Sequence, residues 1–452
     1  QAPDAKVGGE ARQGAVTRGP EREQRQQRVV RQQRRQHDGD ISSQLHIGRG
    51  GGAKQRADVL GAEHDATDQD QGQCVDRAQH HGNGAVNDGA PDEHIDIHLD
   101  LRKRGITGEN EGVMKDRVTR LDYCQYLLST PMNYTMTHFA DHSERFSHDA
   151  INRYARGDEI VPRMVWESVA GQIVTDENGS VVFDDVVLDK SESSQIELVR
   201  QQWSGNAKAV IKGIGVVTCL YVNPKLDRFW IIDFRIFAPE IDGKSKLDHM
   251  RDMLEHTVHY KQLPFRVVLM DTWYATKNEL LFIEQLNKVY YCPIKANRLL
   301  NVSRDNPTYF RADEIVWDRD QFRHGRLVHL RDFPAGHQVR LFRIATSTNR
   351  TDYIITNDVA QDSAAATQDV WGWRPKIEEF HRETKQLTGI DRCQCRRERI
   401  VRNHIGCAML VWLRLKQVAH ESGKTIYQVK HGMLSDYLRQ QFKSPSIKMA
   451  FA

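Results

Sequence analysis

The stretch VVFDDVVL at positions 181–188 decides the fold. Its β-branched and aromatic residues predict a buried strand, yet two aspartates stand in the middle of it. A carboxylate inside an apolar strand is unfavourable unless it is paired or binds a metal ion. Because side chains alternate along a strand, Asp184 and Asp185 point to opposite faces, and only one of them can line a site.

A second acid ends another apolar strand, FRVVLMD at 265–271. In α/β sheets, ligands bind at the carboxyl ends of the strands, which is where Asp271 stands. The two segments together therefore predict a site at one edge of a sheet.

A third acid, Glu378, lies in WGWRPKIEEFHRETKQLTG at 371–389. Pro375 favours a helix that begins near that position. At about 100° per residue, four polar side chains of this helix share an arc of about 60°: Arg374, Glu378, His381 and Lys385. An amphipathic helix with ion pairs four residues apart is the simpler interpretation of this segment alone.

The three acids taken together favour a metal site. Two carboxylates about 4 Å apart repel by about 4 kcal/mol at an effective dielectric constant of about 20. Hard divalent cations remove this repulsion, and Mg²⁺ suits oxygen ligands best. Two such ions about 3.5–4 Å apart can serve phosphoryl transfer. We therefore expect two Mg²⁺ ions, replaceable by Mn²⁺, on Asp184, Asp271 and Glu378.

Strands and helices alternate along the rest of the chain, which predicts a mixed α/β sheet. The patterns predict strands at 209–222, 228–237 and 289–295 and helices at 245–260, 275–288, 375–387 and 399–420. Residues 296–360 read as a β-rich insertion with strands in LVHL, QVRLFRIA and DYIITN.

The segment 133–157 predicts two short helices that are broken at 142–147. Ser147 is a suitable N-cap for the second helix. This helix would present Asn152, Arg153 and Arg156 to solvent, which are residue types suited to DNA phosphates and base edges. A helix-turn-helix DNA reader and a plain helical hairpin both fit this stretch.

Residues 1–112 contain no Phe, Trp, Tyr or Met, so they cannot bury enough apolar surface to offset the entropy of ordering. We expect a disordered or spurious extension, upstream DNA translated in a frame not normally used. A basic disordered arm that contacts DNA is the alternative.

The net charge of +3 does not by itself indicate a nucleic-acid partner, although five arginines cluster at 392–402. Zinc binding by Cys393, Cys395, His404 and Cys407 is disfavoured by the C-x-C spacing, and buried thiols are the better interpretation. The longest apolar run, at 408–413, is too short to span a bilayer. We expect no membrane association.

Three motifs carry a resemblance to a known family. The spacing of Trp371, Arg374, Glu378 and Lys385 resembles the Y-R-E-K signature of the DDE transposases of bacterial insertion sequences. FDDVVLDK at 183–190 and LMDTWYA at 269–275 are similar to that family's first and second aspartate motifs. Val186 stands where the motif has Thr, and Trp371 where the signature has Tyr.

The resemblance implies a ribonuclease H-like core and cut-and-paste DNA transposition. Cleavage in that family frees a 3′ hydroxyl at the element end, which then attacks target DNA. Carried over by position, Asp184, Asp271 and Glu378 would be the metal ligands and catalytic residues. The DNA contacts that we expect on the catalytic helix and just before it are Trp371, Arg374, His381 and Lys385.

The resemblance also implies an organisation and partners. The expected segments are a helical DNA-binding domain at 113–172, a core at 173–295, the insertion at 296–365 and the end of the core at 366–452. The partners would be the terminal inverted repeats and target DNA, bound by a homodimer in the bacterial cytoplasm at the nucleoid. The alternatives are another ribonuclease H-like DNA nuclease and a catalytically dead DNA-binding regulator.

Overall fold

The computed structural model describes residues 117–193, 195–303, 308–347 and 350–448. The extension predicted at 1–112 lies outside these ranges. None of the helices within them has the length and apolar character that crossing a bilayer requires.

The helices of the described residues flank one large sheet. They are α1 Arg120–Ser129, α2 Met136–Asp141, α3 His148–Gly157, α4 Pro162–Val169, α5 Pro239–Asp242, α6 Lys246–Glu255, α7 Lys277–Gln285, α8 Arg319–His324, α9 Ala364–Trp371, α10 Pro375–Thr388, α11 Glu398–Ser422, α12 Ile426–Gly432 and α13 Ser435–Lys443. A π-helical turn, His256–Tyr260, follows α6.

Four strands follow one another after the N-terminal helices, and the later strands are interleaved with helices. They are β1 Ser180–Asp189, β2 Arg200–Ser204, β3 Ala209–Asn223, β4 Arg228–Ile236, β5 Val267–Leu269, β6 Val289–Ile294, β7 Leu299–Asn301, β8 Phe310–Arg311, β9 Arg326–Leu330, β10 Val339–Ser347 and β11 Arg350–Thr356. The chain is thus a mixed α/β protein, as the sequence predicts.

Strand β1 lies at the centre of the part of the sheet that carries the acids. It pairs antiparallel with β3 on one side and parallel with β5 on the other. Strand β3 pairs antiparallel with β4 on its far edge, and β6 pairs parallel with β5. The order β4-β3-β1-β5-β6 therefore joins three antiparallel strands to two parallel ones.

The β-rich insertion extends this same sheet. Strand β11 pairs antiparallel with β6, and the sheet continues through β10, β9 and β7 to β8. The three strands predicted here from LVHL, QVRLFRIA and DYIITN are confirmed as β9, β10 and β11. The insertion thus adds its strands at the β6 edge.

Helix α11 joins the N-terminal helices to the core. The buried side-chain amide of Asn403 donates to the carbonyls of Ala155 and Asp158, at 2.9 and 2.6 Å, and accepts from the Ile160 N–H at 2.9 Å. His404 contacts the Tyr123 hydroxyl at 3.0 Å. The segment that we predict as a DNA-binding domain thus packs directly on the last long helix.

Candidate active site

Asp184 lies at the middle of β1, directly opposite Thr218 of β3. The preceding residues, Val181 to Phe183, are completely buried, and they anchor the strand in the core. The Asp184 carboxyl itself is 16% exposed. One end of this side chain therefore reaches a solvent-accessible edge.

Asp271 follows the parallel neighbour of β1. Val182 pairs with Leu269, the last residue of β5, and each aspartate stands two residues further along its own chain, which places Asp271 just beyond the end of β5. The two carboxylates are close enough for the negative charge of Asp271 to raise the pKa of Asp184. The Asp271 carboxylate also accepts the backbone N–H of Trp273, which closes a tight turn.

Glu378 joins the site through Arg374. The Arg374 guanidinium, at the residue before α10, donates to Asp184 Oδ2 at 2.9 Å and also to Glu378 Oε1. Helix α10 begins at Pro375, as predicted, which places Glu378 in its first turn. The Glu378 side chain is 60% exposed, so it has room to turn towards either aspartate.

Burial raises the pKa of Asp184 to about 7. The negative charges of Asp185 and Asp271 raise it as well, and the Arg374 guanidinium lowers it. One guanidinium thus leaves the negative charge of this cluster only partly compensated. Within the described ranges no three His, Cys, Asp or Glu side chains are grouped so as to hold a metal ion. Arg374 donates to both Asp184 and Glu378.

Asp185 occupies the other face of β1. Its carboxylate accepts from Lys246 Nζ of α6 at 2.6 Å and from the Tyr274 hydroxyl at 3.1 Å. This aspartate already has a cation and a hydroxyl as partners, and neither belongs to α10. Asp184 is therefore the member of the pair that faces Arg374 and Glu378.

The other predicted residues of α10 face the sheet. His381 is buried, and its Nε2 lies 2.8 Å from the Thr218 hydroxyl. Burial lowers its pKa to about 3, with Lys385 and Arg374 acting in the same direction, so the ring is neutral near pH 7. Lys385 Nζ donates to the Val187 carbonyl of β1 at 3.2 Å.

Trp371 ends α9 and packs, partly buried, on the apolar core. On α3, Arg153 and Arg156 are exposed as expected. Asn152 is half-buried, and its amide lies 3.8 Å from the Met136 sulfur. Whether any of these residues contacts DNA stays a prediction.

Comparison with known proteins finds a distant structural likeness. No protein-family model matches the chain, and neither does any curated protein sequence. A solved structure of a piggyBac transposase in a synaptic complex with hairpin DNA is similar to it, with 11% sequence identity, a TM-score of 0.39 and 77% of each chain covered. Function has to be inferred from the site itself.

Thr218 belongs to the site and is absent from the residues predicted for it. Its hydroxyl lies 3.2 Å from the Asp184 carbonyl oxygen as well as contacting His381, so it connects β1 to α10. A sequence signal for it exists, since Thr218 is the polar residue within the apolar run GVVTCLYV at 215–222. A buried hydroxyl requires a partner, and here one partner is His381 of α10.

Proposed function

We propose that this protein is a DDE-type transposase, which cleaves DNA at element ends and transfers the freed strand into target DNA. The observation that carries the proposal is the pairing of acids from distant parts of the chain. Asp184 lies on β1 and Asp271 follows the adjacent parallel strand β5 closely enough to raise the pKa of Asp184, while Arg374 connects Asp184 to Glu378.

The sheet topology supports the same proposal. Three antiparallel strands followed by two parallel ones, in the order β4-β3-β1-β5-β6, is the arrangement expected for a ribonuclease H-like core. In such a core the acids belong on the central strand, on the parallel strand beside it and on a helix packed against the sheet. Asp184 lies on β1, Asp271 lies two residues after β5 and Glu378 lies on α10, which supports the assignment of the three acids.

The donor chemistry fits divalent cations. Asp184, Asp271 and Glu378 offer carboxylate oxygens, the ligands that Mg²⁺ and Mn²⁺ prefer. These three residues would hold the ions. When bound, the ions would supply positive charge to the attacking and leaving oxygens of phosphoryl transfer.

The protein's own residues would position the three carboxylates for the cations. The aspartates are fixed by their strands, whereas Glu378 is exposed and can turn. Arg374 now pairs with both Asp184 and Glu378, and it would exchange these contacts for a DNA phosphate once cations bind the carboxylates. The Thr218–His381 contact holds α10 against β3, and the Thr218 hydroxyl also reaches the Asp184 carbonyl of β1, which would keep Glu378 in register with the aspartates.

The proposed partner is double-stranded DNA, as element ends and as target. Arg153 and Arg156 on the exposed side of α3 would contact phosphates of the end sequence, where each contact adds to affinity and to its salt dependence. We further propose that two copies act together on a pair of ends.

Cleavage by the purified full chain tests the proposal. The substrate is a duplex that carries the gene's native flanking DNA, incubated with Mg²⁺ or Mn²⁺. We expect metal-dependent nicking at the element end, and a loss of at least about 100-fold for Asp184→Asn, Asp271→Asn and Glu378→Gln. Glu255→Gln, the same chemical change at an exposed residue at the end of α6, should cleave normally.

The outcomes separate the alternatives. Cleavage that survives Glu378→Gln would show that this residue is not a metal ligand. Metal-dependent cleavage that does not depend on the flanking DNA sequence would indicate another ribonuclease H-like nuclease. Specific binding to the ends without cleavage in either metal would indicate a regulator.

A further inference from the structure

A second feature of the sheet edge lies immediately beyond Asp271. A cleft of about 660 Å³ opens there, at the carboxyl ends of β5 and β6. Its walls come from the turn after β5, the start of α7, the turn after β6 and the loop after β9. The first wall residues, Thr272 and Trp273, directly follow Asp271 along the chain. The cleft and Asp271 therefore lie at the same end of the parallel strands.

The lining of this cleft is strongly basic. Lys277, Lys295, Arg298 and Arg331 face it, against a single acid, Asp332. Among the described residues, no ion pair forms at the first three cations. Arg331 and Asp332 are only loosely paired, with 3.9 Å between Nε and Oδ1.

The arginine run at 392–402 differs in this respect. Arg397 and Arg399 there contact Glu197 and Glu159 at 2.9 and 2.7 Å. Uncompensated cations around one concave surface raise the local positive potential and attract anions. An anionic ligand therefore fits the cleft better than it fits the arginine run.

An aromatic ring is exposed in the same wall. Trp273 is 51% exposed, although it is one of the largest apolar side chains. Its ring meets the edge of Tyr274, with 4.9 Å between centroids and 81° between planes, and Tyr274 is completely buried and bonded to Asp185. The indole thus rests on a fixed support and keeps much of its surface open for stacking.

The start of α7 supplies backbone donors to the cleft. Thr276 occupies the N-cap position, but its side chain makes no capping hydrogen bond. The N–H groups of a first helical turn have no intrahelical partner, and with the helix dipole they favour phosphate oxygens. Lys277 stands at the first position of this helix, so side-chain and backbone donors coincide.

We propose that this cleft binds a single-stranded segment of DNA that continues from the site of cleavage at Asp184, Asp271 and Glu378. The inference deepens the proposed function and rests on it for the identity of the nucleic acid. Unpaired cations would contact the phosphates, and Trp273 would stack on a base. Stacking on an open ring requires a base that is not enclosed in a duplex, which distinguishes this cleft from a surface for paired DNA.

Fluorescence anisotropy with a labelled oligothymidylate of about ten nucleotides tests the cleft. The assay uses the full chain without divalent metal, so it is independent of cleavage. We expect K277A/K295A to weaken binding and to reduce the slope of log affinity against log salt by about 1.4, or about 0.7 per lost phosphate contact. W273A should weaken binding by at least about fivefold, and W273F should restore most of it.

Matched controls separate local from general effects. K424A/K443A removes the same charge from exposed lysines elsewhere, and W203A removes another exposed indole on β2; both should bind as the unaltered protein does. Failure of the unaltered protein to bind the oligonucleotide, or equal binding by the cleft variants, would overturn the proposal. Weakened strand binding in a protein that cleaves no DNA would leave the cleft established and refute the transposase function.

Discussion

Arg374 determines how two of the acids in the site are paired in this structure. Its guanidinium satisfies Asp184 and Glu378 together and is itself largely buried, as is Asp184. A buried carboxylate without a partner is strongly unfavourable. Arg374 therefore stabilises the protein without metal, and it competes with any cation for the same two carboxylates.

The change Arg374→Ala should therefore lower the stability of the metal-free protein and increase the stabilisation that Mn²⁺ provides. Without metal we expect the free energy of unfolding to fall by about 1–3 kcal/mol, since Asp184 loses its charged partner. With Mn²⁺ we expect a larger rise in Tm than in the unaltered protein, because the guanidinium no longer competes. Thermal denaturation with and without Mn²⁺ measures both quantities.

Arg382→Ala is the matched control, since Arg382 lies on the exposed side of the same helix. It should change neither quantity. A rise in Tm with Mn²⁺ that is equal in Arg374→Ala and the unaltered protein would contradict the competition between guanidinium and cation.

The sequence identifies the three acids of the site but not the side chains that contact them. Alternation along a strand shows that Asp184 and Asp185 face opposite ways, but not which side carries the third acid. The answer depends on Arg374, Lys246 and Tyr274, which come from distant segments. Such contacts are set by packing, and local patterns do not encode them.

Among the elements, α11 has the largest structural role. Near its start His404 is completely buried, and its Nε2 lies 2.8 Å from the Gly389 carbonyl. A carbonyl can only accept, so Nε2 carries the proton and Nδ1 accepts from the Tyr123 hydroxyl at 3.0 Å. One neutral imidazole thus joins α1, the end of α10 and α11.

The stability of the protein should fall in acid because of this residue. Burial lowers the pKa of His404 from its ordinary 6.5 to about 4. Between these values the unfolded chain binds a proton that the folded protein does not, so stability decreases as pH falls from about 6.5 towards 4. At pH 4.5 the contribution amounts to about 2–3 kcal/mol.

His404→Gln removes this titration. Urea unfolding at pH 7 and pH 4.5 should show a loss of stability that is about 2–3 kcal/mol smaller in the variant than in the unaltered protein. His381 titrates in the same direction in both proteins, and it cancels in the comparison. Equal losses in the two proteins would show that His404 is not buried in its neutral form.

Most elements follow from the sequence because each has a strong local signal. Ser147 caps α3 as predicted, Pro375 begins α10, and the strands predicted at 209–222 and 228–237 are present as β3 and β4. The order of the strands does not follow in this way. The pairing of β6 with β11 joins residues about sixty positions apart, and its specificity depends on the whole sheet.

For the molecule as a whole, the sheet unites the strands beside the acids with the insertion. The insertion begins at β7, next to the cleft, and returns to the β6 edge through β11. Composition and charge do not predict this arrangement, because a net charge of +3 does not show where the cations lie. The cleft forms because the fold brings the turn after β5 and the turn after β6 side by side.

An excision assay in cells is the most direct test of the central claim that Asp184, Asp271 and Glu378 form one DNA-cutting site. Cells would carry the full chain together with its gene's native flanking DNA, and single alanine changes at each acid would be compared with the unaltered protein. We predict excision of the element by the unaltered protein and none by the three variants. Excision that persists in any one of them would contradict the assignment, and failure of the unaltered protein to excise or bind the flanking DNA would contradict the function itself.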